Sequence, residues 1–315
     1  MLGRLAALLV ILGSLLICFS IGCTLLKEEK EQGSDNYTVS ENCQVIILNS
    51  EISGDVNIET WGKDYVQLDW TKRSTWGISE MGKADVKVTE TPATETPGNL
   101  KIESKLIQKN ARVSLTYNIW LPKNVLLTNV VTGNGNISID GTTGNTIIAA
   151  TEGTISVTNS SGYMNITAGK GAIHLEGTTG GAKLATSGSS ITVRNADGAI
   201  TASTSSGKIE ISDCKGDVIL ETSRAGISVN TLKGCVLSAK TSNAPINIKA
   251  ATTVEVVETS RSSVTVEIDN VPANGTTVMT SNGSVDLYLP RGMNAEIELK
   301  TSSGDIAFHL GGISI

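Results

Sequence analysis

The sequence predicts an all-β protein, a single-chain parallel β-helix (β-solenoid) with coils of about 18–21 residues, irregular N-terminal coils and a cap. Three observations carry that expectation. Ile137, Ile155, Ile173, Ile191, Ile209 and Ile227 recur at an interval of 18 residues every time. Gly144, Gly162, Gly180, Gly198, Gly216 and Gly234 keep the same interval. Between these markers apolar and polar residues alternate with period two, as in a strand with one buried face.

A unit of 18 residues holding two short strands is too short for a strand–helix–strand unit, which needs about 30 or more. Antiparallel hairpins rarely keep identical marks in one register. Parallel coils stacked roughly 4.8 Å apart satisfy both constraints. Inward pairs are then Ile155/Val157 and its successors in the first strand of each coil, and Met164/Ile166 and its successors in the second. Ser138, Ser156, His174, Thr192, Glu210 and Ser228 face outward. Past Ile227 the phrase loosens to Ile246, Val264, Val285 and Ile306, at intervals of 19, 18, 21 and 21. Thr186, Thr204, Thr222, Thr241, Thr259, Thr280 and Thr301 form a further column, whose hydroxyls are expected to hydrogen-bond along the stack.

The N-terminus reads as an export signal over residues 1–22, with Arg4 as the positive region and Leu5 to Ile17 as the apolar region. The stretch `FSIGC`, ending at Cys23, resembles the bacterial lipobox, although Ser20 stands where an aliphatic residue is usual. Cleavage before Cys23 leaves it N-terminal and lipidated. The rival readings are an ordinary cleaved signal and an uncleaved anchor. Residues 23–37, including `TLLKEEKEQGSDNY`, are then a lipidated, charged tether. Each reading places the bulk of the chain outside the cytoplasm, and the lipidated one makes it an envelope lipoprotein whose partner is the membrane.

Residues 38–130 are expected to be irregular N-terminal coils of the same solenoid, with a projecting loop at 89–99; residues 131–315 are its regular repeats. Strands alternate at Val56/Ile58 and at Val66/Leu68/Trp70, across a turn at Gly62-Lys63-Asp64. All four tryptophans, Trp61, Trp70, Trp76 and Trp120, lie in this irregular region. Covering the end of the core accounts for them as a group. Trp76, in the loop `RSTWGIS`, is the candidate ligand contact.

The formal net charge is −6 without a basic stripe, which argues against a nucleic-acid partner. Cys43, Cys214 and Cys235 remain beyond Cys23 and read as small, semi-buried residues; a disulfide stays open. No catalytic, cofactor or metal site emerges. Asp140, Thr158, Glu176, Arg194, Ser212 and Asn230 fall in one column that alternates its chemistry rather than concentrating it. His174 and Glu210 stand two coils apart, roughly 9.6 Å. Asp213, Asp217 and Glu221 read as a solvated acidic face. Two histidines, His174 and His309, are little material for a triad or a zinc site.

The pieces `ISGDVNIETWGKDYVQLDWTKR`, `YNIWLPKN`, `SSGKIEI`, `SNGSVDLYLPRG` and `TSSGDIAF` resemble the bacterial "putative adhesin" β-strand-repeat family, a domain of unknown function, over roughly residues 40–310. The resemblance implies a β-solenoid on exported or membrane-anchored proteins, with adhesion or envelope-stress roles, and brings no catalytic residues. The expected function is therefore non-enzymatic: an envelope-anchored solenoid presenting a polar surface to an envelope protein or glycan. Two alternatives stay open, an accessory sensor or scaffold in envelope-stress signalling and a polysaccharide-active β-helix enzyme.

Overall fold

The structure, a computed structural model, describes residues 27–91, 98–292, 297–310 and 313–314, so the export segment and Cys23 lie outside the described residues. The chain divides into two units, Met1–Thr143 and Gly144–Ile315.

The first unit contains β1 (Glu29–Thr38), β2 (Gln44–Asn49), β3 (Val56–Trp61), β4 (Tyr65–Ser74), β5 (Ala84–Thr91), β6 (Asn99–Leu106), β7 (Ser114–Pro122), β8 (Leu126–Asn134) and β9 (Ile137–Asp140), with a 3-10 turn at Ile78–Lys83 before β5. One sheet runs β1–β4–β7–β3–β9, its first two pairings antiparallel and its last two parallel. The other runs β5–β6–β2–β8, antiparallel and then parallel. Val45, Ile47, Val56, Ile58, Leu115 and Tyr117 are almost wholly buried, as the alternation requires. Each such aliphatic side chain contributes about 1.5–3 kcal/mol.

Two expectations for this region change. The charged stretch read as a tether is in strand from Glu29, paired with β4 along its whole length. No side chain of β1 is buried, so the stretch lacks the apolar alternation by which an inner strand is recognised. Charge and glycine are what a solvent-facing edge tolerates. The projecting loop is narrower than 89–99, because β5 and β6 pair out to Thr91 and Asn99; residues 92–97 lie outside the described residues. The two strands expected on either side of Gly62-Lys63-Asp64 are present as β3 and β4, and they do not pair with each other. β7 lies between them, parallel to β3 and antiparallel to β4. The unit is thus a mixture of parallel coils and antiparallel additions.

The second unit follows the repeat closely. Ile155, Ile173, Ile191, Ile209, Ile227, Ile246, Val264, Val285 and Ile306 are successive partners in parallel register. On the other sheet Met164, Ala182, Ile200 and Val218 do the same. The threonine column is buried from Thr186 to Thr280. Its hydroxyls donate to backbone carbonyls of the preceding corner: Thr186 to Gly171 (2.8 Å), Thr204 to Ser189 (3.1 Å), Thr222 to Gly207 (3.1 Å). Each bond is worth about 1 kcal/mol and pins one coil to the previous one.

Two corner columns explain the turn residues. Asn159, Gly177, Asn195, Asp213, Thr231 and Ala250 all take left-handed backbone conformations, with φ between 49° and 63°. Asn and Asp tolerate this region, whereas Thr231 and Ala250 occupy it at a cost. Gly162, in the recurring glycine column, has φ 109°, and a Cβ there would sit 2.3 Å from the carbonyl oxygen of Gly144. Backbone conformation and stacking distance both demand glycine. Farther on, Ile227–Thr241 and Ile246–Thr259 run as single long strands, bulged between Leu232 and Cys235, where the sequence suggested two short strands per coil.

Candidate functional site

Aromatic and cationic side chains assemble in two places on the first unit. In β3, Val56 and Ile58 point inward, so Trp61 has the outward phase of Asn57 and Glu59. In β7 the buried residues are Leu115, Tyr117, Ile119 and Leu121, so Trp120 also faces out. The parallel pairing sets Trp120 opposite Glu59, and the Trp61 and Trp120 indoles stack with centroids 6.0 Å apart at 25°. Tyr65 packs edge-on to Trp61 at 5.1 Å. The Lys63 ammonium lies 4.3 Å from the Trp61 ring centroid and donates to the Tyr65 hydroxyl at 2.9 Å. The Trp61 indole N–H donates to the Tyr65 carbonyl at 3.0 Å, which fixes the ring. The result is a half-exposed π surface with a positive charge over it. Such a face suits stacking on apolar ring faces or CH-rich sugar surfaces.

These two tryptophans were expected to cover the end of the core, yet they form an outer platform. The parity of Trp61 with Glu59 and of Trp120 with Asn118 was the available signal. Trp70, in phase with Val66 and Leu68, is half-buried and lies over Gly33 of β1, where a Cβ would meet its ring at 2.4 Å.

Trp76, the candidate contact named from the sequence, is 64% exposed. Its backbone N–H donates to the Ser74 hydroxyl (3.0 Å), which in turn donates to the Arg112 carbonyl (2.7 Å). The Arg112 guanidinium lies 3.6 Å from the Trp76 ring centroid. The Arg112 backbone N–H donates to Glu80 Oε2 at 2.8 Å, and Glu80 also pairs with Lys83. The Lys83 hydrogen bond, and next the Arg112 N–H, hold the Glu80 carboxyl below its ordinary range. Trp76 and the Trp61/Trp120 platform are separate groupings.

The columns weighed for catalysis stand in the expected register. Ser156, His174, Thr192, Glu210 and Ser228 are successive neighbours, and Glu210 is paired with Lys208. Asp217 accepts the Cys235 backbone N–H at 2.9 Å and Asp213 occupies a left-handed corner, so two of the three acids of that face have structural work. Among the described residues no three of His, Cys, Asp and Glu converge to hold a metal ion. A third aromatic pair, Tyr288 and His309, stacks at 4.3 Å, with Asp286 Oδ1 3.7 Å from His309 Nε2.

Cys43, Cys214 and Cys235 are all free thiols, and burial pushes each of them up from the usual thiol range. Cys214 fills an inward corner column with Ser160, Thr178, Ala196 and Leu232, all buried.

No protein-family model and no curated protein sequence matches the chain. Among solved structures it is similar to one described as a "putative cell adhesion protein" from Clostridium sporogenes, at 11% identity over 90% of this chain and 100% of that one, with a TM-score of 0.22. It is likewise similar to a "putative adhesin" from Parabacteroides distasonis, at 16% identity over 88% and 97%, TM-score 0.33. A "putative lipid binding protein" from the same organism gives 16% over 90% and 95%, TM-score 0.31. Likenesses at these TM-scores carry no argument about function, and the β-solenoid rests on the strand register of the chain itself.

Proposed function

We propose that this chain is a non-enzymatic binding protein of the cell envelope, exported, held to a membrane through a lipid on Cys23, and engaging a glycan or envelope protein. One observation carries the reading: the outward platform of Trp61, Trp120, Tyr65 and Lys63. Three aromatic side chains and an ammonium group fixed on the outer face of a sheet serve no core. A planar π surface with a cation above it favours a ligand that offers both CH faces and acceptor oxygens, as acidic or neutral polysaccharides do.

The test is binding of the full chain to an array of wall and surface polysaccharides, repeated with Trp61→Ala and Trp120→Ala. Loss of roughly tenfold in affinity, about 1.4 kcal/mol, is the expected result for each. Binding that survives both substitutions unchanged overturns the platform as the contact. The anchor has its own test, metabolic labelling with a palmitate analogue: label present in the wild type and absent in Cys23→Ala supports it, and unlabelled protein in the medium overturns it.

A further inference from the structure

Three large apolar side chains stand out among the described residues as the most exposed: Trp76 at 64%, Ile78 at 63% and Ile107 at 62%. A single exposed apolar residue needs no explanation. These three share one end of the first unit. Trp76 and Ile78 belong to the segment between β4 and β5, and Ile107 follows β6 directly. The Ile107 backbone N–H donates to the Lys83 carbonyl at 2.8 Å. Arg112 is tied to the same segment through Ser74, Glu80 and the Trp76 ring. Arg112 and Lys109 are exposed beside the apolar residues. Of the acids at this end Glu80 pairs with Lys83, Glu28 with Arg73 and Glu29 with Lys27, Glu51 accepts the Leu106 backbone N–H, and Asp85 is exposed.

The path of the chain supplies an independent observation. β1 begins at Glu29, directly opposite Ser74, two residues before Trp76. Glu28 reaches Arg73 at 3.0 Å. The chain therefore runs back toward Cys23 from this same end. Cys23 is so close in sequence to Lys27 that, fully stretched, their Cα atoms stand only about 14 Å apart.

We propose that this end of the first unit docks on a lipid bilayer, with Trp76, Ile78 and Ile107 in the interfacial layer and Arg112 and Lys109 on lipid phosphate. The proposal rests on the reading of the N-terminus as a membrane anchor. An indole is at home at headgroup depth, an aliphatic side chain gains from the acyl boundary beneath it, and basic side chains meet anionic oxygens there. A lipid on Cys23 keeps this end at a high effective concentration next to the bilayer, so a weak contact is enough to orient the unit.

The test uses the full chain in phosphatidylcholine/phosphatidylglycerol vesicles with and without bromine on the acyl chains, which quenches indole emission at short range. The expected result is quenching that falls at least threefold in Trp76→Phe and is unchanged in Trp61→Phe and Trp120→Phe. Ile78→Ser combined with Ile107→Ser, which keeps the reporter, reduces the quenching as well. Chain that floats with the vesicles but is quenched equally in wild type and Trp76→Phe overturns the docking and leaves the anchor standing. Chain that does not float with vesicles overturns both. A concentration-dependent dimer, lost in the Ile78/Ile107 variant, assigns the patch to a second copy and overturns the bilayer as its occupant.

Discussion

The two units use the same strands and the same apolar alternation, yet they are organised on different principles. In the second unit each residue's spatial neighbour is its equivalent one coil away, as the run of partners from Ile155 to Ile306 shows. In the first unit neighbours come from distant and oppositely directed segments: Trp70 faces both Gly33 and Tyr117, and Asn118 lies between Asn57 and Asp69. The repeat makes a uniform surface, with its polar residues spread evenly in columns. The irregular unit concentrates unlike groups, and every tryptophan belongs to it. The difference teaches that a strict repeat builds a uniform scaffold, and the binding proposed for this chain falls on the unit that breaks the repeat.

Ile191→Ala tests the scaffold hardest. Its side chain is wholly buried in a column between Ile173 and Ile209, and truncation is expected to cost about 3 kcal/mol, read by circular dichroism in denaturant. Loss under about 1 kcal/mol would mean that the column is not a packed core. Next in size, Gly162→Ala is expected to lose at least about 2 kcal/mol through its positive φ and the Gly144 carbonyl. Gly62→Ala in the first unit, with nothing within 4 Å of the new methyl, is expected to change stability by under about 0.5 kcal/mol. Equal effects at the two sites would break the contrast between a stacked corner and an open turn.

Thr231→Asn sharpens the comparison in the opposite sense. A β-branched residue at φ 54° is the repeat's own flaw, and asparagine there is expected to add about 1 kcal/mol, measured by thermal unfolding. The smallest effect is electrostatic and lies in the first unit. The Glu80 carboxyl is held below its ordinary value of 4.5. Its contribution is therefore present above pH 4.5 and is lost as the pH falls through the lower folded value. Emission from Trp76 in acid should change over that window in the wild type, and Glu80→Gln should already show the acid form at neutral pH.

Much of the second unit was legible because its spacing is local information. The marker isoleucines, the threonine column and the glycine column each appear in the chain at the interval at which they meet in space. Cys214 read only as a small, semi-buried residue, and it is fully buried. The fusing of strands at Ile227–Thr241 was not legible, since a bulge at Leu232 leaves no composition signal. Of the aromatic surface the sequence marked Trp76 alone. The Trp61/Trp120 pair was hidden, because parity says which way a ring points and not which distant strand lies beside it.

The sequence by itself determined the fold class, the register of the repeats and the burial of their isoleucines, since one coil packs on the next and translation along the chain is translation along the stack. Only the tertiary structure decided that a charged stretch is the edge strand β1, that β7 enters between β3 and β4, and that Trp76, Ile78, Ile107 and Arg112 meet at one end. Those arrangements depend on pairing between segments far apart in sequence, whose stability comes from backbone hydrogen bonds and mixed side-chain contacts rather than from any repeated apolar pattern.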